Sequence, residues 1–272
     1  MIVEFLGTSG AGKSTFIPIL TNILRDDGLT AMSATEAIHS YMRKTCIGRL
    51  VCFLMPQALQ GPILWRVFSY FIVEFYIAQF ALENPRLISY VVRSQLYRPI
   101  PWQHRRLILR LFFQITGWHQ FLKRRLQPTE ALIFDEGFVH RATHMFASES
   151  ERPNVDQVVA YLKRIPRLDL VIWVQAPLET CLARIYARGL QTRLRGLETP
   201  EVVQFLANAE QVVNIAAQYL NNAGFTVIQL ENKGDLTTST SELRCKLSEY
   251  WFSQSDLYHK VHSAKILELH ES

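Results

Sequence analysis

The sequence predicts an α/β fold of three layers, with a parallel sheet of about five strands covered by helices on both faces. Three observations carry that expectation. A short apolar segment, Ile2 to Leu6, runs straight into a glycine-rich turn and then into a helix-period pattern. Strand–helix alternation resumes at Ala131 and continues to about Phe252. Between the two, residues 38–128 show no convincing strand and are punctuated by prolines, which reads as a long helical insertion between strands 2 and 3.

The first element decides most. After the strand comes Gly7-Thr8-Ser9-Gly10-Ala11-Gly12-Lys13-Ser14, followed by Thr15, which fits G-x-x-x-x-G-K-[ST] at every defined position. Phe16, Ile17, Ile19, Leu20, Ile23 and Leu24 then recur at helical spacing. Glycines let successive N–H groups face a phosphate, and the helix N-terminus adds positive potential. Lys13 is expected to reach the β- and γ-phosphates of a nucleoside triphosphate, and the Ser14 hydroxyl to ligate Mg²⁺. The fold expected is therefore the three-layer P-loop NTPase fold, a single domain over 1–272.

Asp27-Gly28 stops the helix, and Leu29 to Ala34 suits a second strand ending at Thr35-Glu36. Ligands of open α/β sheets bind along that edge. Glu36 is thus an acceptor candidate, with a solvated helix-cap role as the alternative.

In the insertion, the segment Ile63 to Leu82 has one polar stripe, Arg66, Tyr70 and Glu74, and is otherwise apolar. A helix this apolar is expected to be buried between others, with membrane contact as the alternative. Pro56 and Pro62 interrupt one candidate span, and Arg66, Glu74 and Gln79 the other, so neither is expected to cross a bilayer. Between Glu83 and Glu130 there is no acid, while nine Arg and Lys fall there. Arg106, Arg110 and Arg124 share a face of a helix expected over 105–126. That segregation suits an anionic partner, either a phosphorylated acceptor or an acidic lipid surface; nucleic acid fits less well, and a solvated face is the alternative.

Ala131 to Phe134 is the next buried strand, ending in Asp135-Glu136-Gly137. Helices follow over Phe138–Phe146, carrying His140, Arg141 and His144, and over Val155–Lys163. Leu168–Val174 is a strand, Leu178–Arg188 a helix, and 189–199 a segment without core pattern. A helix from Pro200 to about Asn221, a strand over Phe225–Leu230 and a helix over Ser239–Phe252 complete the order. Asp135 lies on the P-loop edge, where a carboxylate could take the acceptor's proton or hold Mg²⁺ through water. Glu136 is the reserve for either role, and Arg141 a further acceptor candidate. Arg184, Arg188, Arg193 and Arg195, flanked by Gly189 and Gly196, suit a mobile lid over the phosphates.

At 272 residues and mean hydropathy +0.04 the chain can bury a substantial core. Cys46, Cys52, Cys181 and Cys245 lack metal-ligand spacing, and the N-terminal apolar run belongs to the first strand. The expected compartment is the cytoplasm, with a peripheral place at the membrane left open, as is a homodimer.

The motif order resembles the P-loop nucleoside and nucleotide kinases and is most similar to the thymidylate-kinase-like group. The resembling parts are GTSGAGKST, Thr35-Glu36, FDEG at Phe134–Gly137, VIWVQAP, LARIYARG and the arginine-bearing segment after it, covering 1–36 and 131–235. The resemblance implies a five-stranded parallel sheet, ATP with Mg²⁺, and phosphorylation of a small acceptor. It implies that Asp135 matches the acid of an Asp-Arg pair and that Arg188 and Arg193 are lid arginines. Glu136 stands in place of that pair's arginine, Ala37 in place of a proline, and Gln175 in place of an aspartate. The acceptor expected is small, or lipid- or glycan-linked, and anionic or presented at a surface. Two rivals remain: a GTPase-type switch reading guanine through Asn232-Lys233-Gly234-Asp235 and Ser263-Ala264-Lys265, and a membrane-associated module that keeps ATP as a structural ligand. Against the switch, no D-x-x-G follows Asp135.

Overall fold

The structure, a computed structural model, describes residues 1–98, 100–190, 193–232 and 234–253. Lys233 of the Asn-Lys-Gly-Asp segment, Ser263-Ala264-Lys265, and Gln191 and Thr192 of the expected lid lie outside the described residues.

The chain divides into two compact units, one of residues 1–31 with 128 onward, the other of residues 32–127. The elements begin with β1 (Ile2–Leu6), α1 (Lys13–Asp26) and β2 (Thr30–Ser33). The second unit holds α2 (Ala34–Lys44), α3 (Cys46–Leu54), α4 (Gln57–Val67), α5 (Val73–Glu83), α6 (Pro85–Tyr97) and α7 (Trp102–Lys123). The chain closes with β3 (Glu130–Phe134), α8 (Phe138–Phe146), α9 (Val155–Leu162), β4 (Leu170–Gln175), α10 (Leu178–Arg188), α11 (Thr199–Asn222), β5 (Val227–Glu231) and α12 (Leu236–Ser253).

The strands form a parallel sheet in the order β2-β3-β1-β4-β5. β1 is central, with Val3 opposite Ile133 on one side and Phe5 opposite Ile172 on the other. Period-2 alternation sorts its side chains between two faces. Val3 and Phe5 enter a core with Phe16, Leu20 and Leu24 of α1 and Leu243 and Leu247 of α12. Glu4 points the other way and meets the start of α8, beside which α9 and α11 pack. Two helical layers thus enclose one sheet, and the β1–α1 turn opens at the carboxyl edge where α/β sheets take ligands.

In the second unit, α4 runs through a π-turn (Phe68–Ile72) into α5, giving one continuous helix over 57–83. α5 packs along α7 at close range. A Cβ on Gly117 would lie 2.6 Å from Val73 Cγ2, so only glycine admits the approach. Trp65 and Phe68 meet Trp118 and Phe121 of α7 edge to face, with ring centroids 5.5 and 4.9 Å apart. The expectation of a buried helix over 63–82 fails here. Only 22% of its most apolar window is buried, through Leu64, Phe68, Val73 and Phe80, while Phe71, Phe75 and Leu82 are exposed. Apolar content measured what the helix could bury; the unit covers just one side of it. By length, and by a mean hydropathy of 1.3 over its most apolar 18 residues, this 27-residue helix also passes as long and apolar enough to cross a membrane, although the polar residues within it argue otherwise. α7 starts three residues earlier than expected, directly after Pro101, and ends at Lys123. Arg124 lies beyond it and pairs with Glu83 at 2.8 Å.

Candidate functional site

The turn between β1 and α1 has the backbone that phosphate cradling requires. Gly10 and Gly12 sit at φ 85° and 100°, a region that side chains disfavour. There is also no room for a Cβ: at Gly10 it would meet Cys181 O at 2.5 Å, and at Gly12 Asn232 Nδ2 at 2.3 Å. Asn232 braces the loop by donating to Ala11 O at 2.8 Å. Thr8 Oγ1 lies 3.6 Å from Cys181 Sγ of α10. The loop is therefore clamped by β5's end and by α10.

Lys13 is buried and its Nζ donates to Gly7 O and Thr8 O, at 2.9 and 3.0 Å. Burial lowers its pKa, and the Asp135 and Glu136 carboxylates oppose that shift. Ser14 Oγ donates to Asp135 Oδ2 at 3.2 Å, so β3's end faces the start of α1. Burial raises the Asp135 pKa against the pull of Lys13. A hydroxyl and a carboxylate oxygen side by side form a hard donor set, which fits Mg²⁺.

From α10, Arg184 Nη1 donates to Gly10 O at 3.1 Å, and Arg188 Nη2 donates to Ser9 Oγ at 2.8 Å. Their four-residue spacing puts both on the face turned to the loop. Arg193 and Arg195 are placed elsewhere. Arg193 donates to His144 O and Ala147 O at the end of α8, with its guanidinium 4.6 Å above the Phe205 ring. Arg195 donates to Leu190 O. Two of the four arginines expected in a lid thus touch the P-loop and two do not.

The start of α8 gathers a second polar set, which the sequence reading named only in part. Glu136 Oε2 accepts from Arg141 Nη1 at 3.0 Å, and its carboxylate lies 3.8 Å from His140 Nε2 and 3.9 Å from His144 Nε2. His140 and His144, four residues apart, share one face of α8, and the turn before the helix brings Glu136 up to the same face, a spacing of four and four that was readable in the sequence. The three ligand atoms lie within 4.8 Å of one another, close enough to hold a metal ion. The charge balance does not call for a cation, because Arg141 neutralises Glu136 and Lys13 adds further positive charge nearby. Burial pushes Glu136 up, yet the Arg141 guanidinium bonded to it and the Lys13 ammonium hold its carboxyl below its usual range. Burial, aided by neighbouring cations, pushes His144 down to about 4 and His140 well below its ordinary value, so both imidazoles are neutral. Arg141 Nε and His140 Nδ1 are buried with no hydrogen-bond partner among the described residues.

Beneath this turn lies Glu4, a wholly buried carboxylate in the middle of β1 that sequence reading passed over as part of an apolar strand. Its two oxygens accept from the Phe138 and Val139 N–H groups, at 2.9 and 2.8 Å, which caps α8. A Cβ on Gly137 would fall 2.0 Å from the carboxyl carbon, so that glycine is required by contact. Burial raises Glu4 from 4.5 to about 7.

The remaining candidates take local roles. Glu36, in the other unit, closes a capping box with Ser33, accepting from Ser33 N at 2.8 Å. Arg106 and Arg110, also in that unit, are exposed. Asp235 accepts from Thr237 N and from Thr238 Oγ1 at the start of α12.

No protein-family model matches the chain, and no curated protein matches it in sequence. Among solved structures it is similar to a deoxyadenosine kinase from M. mycoides, at 16% identity and a TM-score of 0.45, over 92% of this chain and 100% of that one. It is also similar to the thymidylate kinase from Candida albicans, at 14% identity and a TM-score of 0.49, over 94% of this chain and 92% of that one. At these values neither likeness carries an argument, and the chemistry of the site rests on its own residues.

Proposed function

We propose that the protein is an ATP-dependent phosphotransferase that passes the γ-phosphate to a small acceptor, anionic or presented at a surface. The observation that carries this reading is the Ser14–Asp135 contact beside Lys13, at the mouth of a clamped P-loop. The loop N–H groups and Lys13 bind the β- and γ-phosphates, and Ser14 with Asp135 holds Mg²⁺, which neutralises phosphate charge when bound. Arg184 and Arg188 stand where charge disperses as the phosphoryl group moves. Asp135, its pKa raised by burial, is suited to accept the acceptor hydroxyl's proton or to orient a water on the metal.

Arg141 Nε and His140 Nδ1 support an acceptor site beside Glu136, since buried donors and acceptors are normally satisfied. Acceptor oxygens would complete them. Glu36 belongs to this reading only if its capping box opens. Arg106 and Arg110 could steer an anionic acceptor, lipid- or glycan-linked ones included, at a peripheral membrane contact of an otherwise cytoplasmic protein. The GTPase alternative loses support, because Asp235 is engaged as a helix cap and Asn232 as a loop brace.

The test is a transfer screen with labelled ATP against nucleosides, nucleotides, sugars, sugar phosphates and lipid-linked glycans, with Lys13→Ala as the control. Transfer that survives Lys13→Ala, or that uses GTP in place of ATP, removes this reading.

A further inference from the structure

We infer that the outer face of α3 and the 57–83 helix docks the protein on an anionic lipid bilayer. The residues that do so differ from those the charge pattern singled out. On α3, Ile47, Leu50 and Leu54 recur at i, i+3 and i+7 and are 50%, 58% and 60% exposed. On the 57–83 helix, Phe71, Phe75 and Leu82 recur at i, i+4 and i+11 and are 76%, 59% and 82% exposed. A groove of about 340 Å³ joins the two helices, lined by Ile47, Phe71, Ile72 and Phe75, with Arg125 also on its wall. Side chains that a soluble surface seldom presents together thus form one continuous face.

Charge selects the occupant. From Glu36 to Glu130 the intervening chain holds thirteen Lys and Arg against two acids, Glu74 and Glu83. Arg43, Lys44 and Arg49 are exposed at the end of α2 and on α3 beside the face. Apolar and aromatic side chains rimmed by basic ones are the chemistry of an interfacial helix, which buries its apolar side at the acyl boundary and sets its cations against lipid phosphates. A second copy of the chain fits poorly, because a two-fold interface would set this positive surface against itself. The helix lies on the bilayer and does not span it, since Leu64, Phe68, Val73 and Phe80 are already packed within the unit. This surface goes beyond the phosphotransferase reading and does not depend on it.

The experiment is co-sedimentation of the full chain with vesicles of phosphatidylcholine alone and of phosphatidylcholine mixed with phosphatidylglycerol. Binding is expected only to the mixed vesicles, weakened by salt. The pair Leu50→Ser and Phe71→Ser should lose about tenfold or more in vesicle affinity while keeping ATP affinity. Arg43→Glu with Arg49→Glu should also lose binding, and should remove most of its salt dependence. No sedimentation with mixed vesicles, or sedimentation that Leu50→Ser and Phe71→Ser leave intact, overturns the inference. So does a dimer in solution that the same pair dissolves. Lost ATP binding in the wild type would count against the phosphotransferase and leave the docking face standing.

Discussion

Replacing Glu4 by Gln tests whether the carboxylate under the β3–α8 turn holds the site together. Glu4 is buried on every side and bonded to two N–H groups, yet burial still outweighs them and raises its pKa from 4.5 to about 7. A carboxyl whose folded pKa lies above its unfolded one contributes stability that is complete below the unfolded value and is lost as pH rises through the folded one. The window is therefore 4.5 to about 7. At about 1.4 kcal/mol per unit, the wild type should lose about 3 kcal/mol of stability across it through this group alone. Glu4→Gln keeps the shape and one acceptor but does not titrate, so it carries a constant offset and no slope. Urea unfolding of both proteins from about pH 4 to about pH 8, taken as a difference, isolates Glu4 from every other titration. A difference that falls as pH rises supports the assignment. Parallel curves would mean that Glu4 is not desolvated as its contacts require, and that something else caps α8.

Gly137→Ala forces a methyl into the same carboxyl, and should cost about 1–3 kcal/mol while displacing the Asp135–Glu136 turn, so that kcat falls more than ATP affinity. Denaturation and single-turnover transfer read the two effects. Asp135→Asn should leave ATP binding within a few fold and reduce transfer by about 100-fold or more; a collapse of ATP·Mg²⁺ affinity in titration calorimetry would make Asp135 a metal-holding residue first. Arg188→Ala should depress kcat, because its side chain reaches Ser9 of the loop, whereas Arg193→Ala should lower thermal stability through its lost bonds to the end of α8. Equal kinetic effects of the two substitutions would restore both to a closing lid. Arg141→Ala should raise KM for the acceptor with ATP affinity unchanged, and an unchanged acceptor KM would move the acceptor away from Glu136.

The sequence alone determined the sheet and the phosphate loop. Strand, G-x-x-x-x-G-K-S and helix form a local pattern, each part dictated by neighbours within a few residues, so periodicity and glycine placement sufficed. The same locality made Asp135 readable, because a strand's end fixes which edge its last residue occupies. Long-range packing decided the rest. Glu4 reads as one polar residue in an apolar strand, and only the fold brings α8's N-terminus to it from more than 130 residues away. Arg188 and Arg193 are chemically alike in the chain, yet one reaches the P-loop and the other α8, because the backbone between them turns at Gly189. The apolar helix over 57–83 shows the limit most plainly. Its composition states how much surface could be hidden, but burial depends on how many neighbours surround it, and the tertiary structure supplies them on one side only.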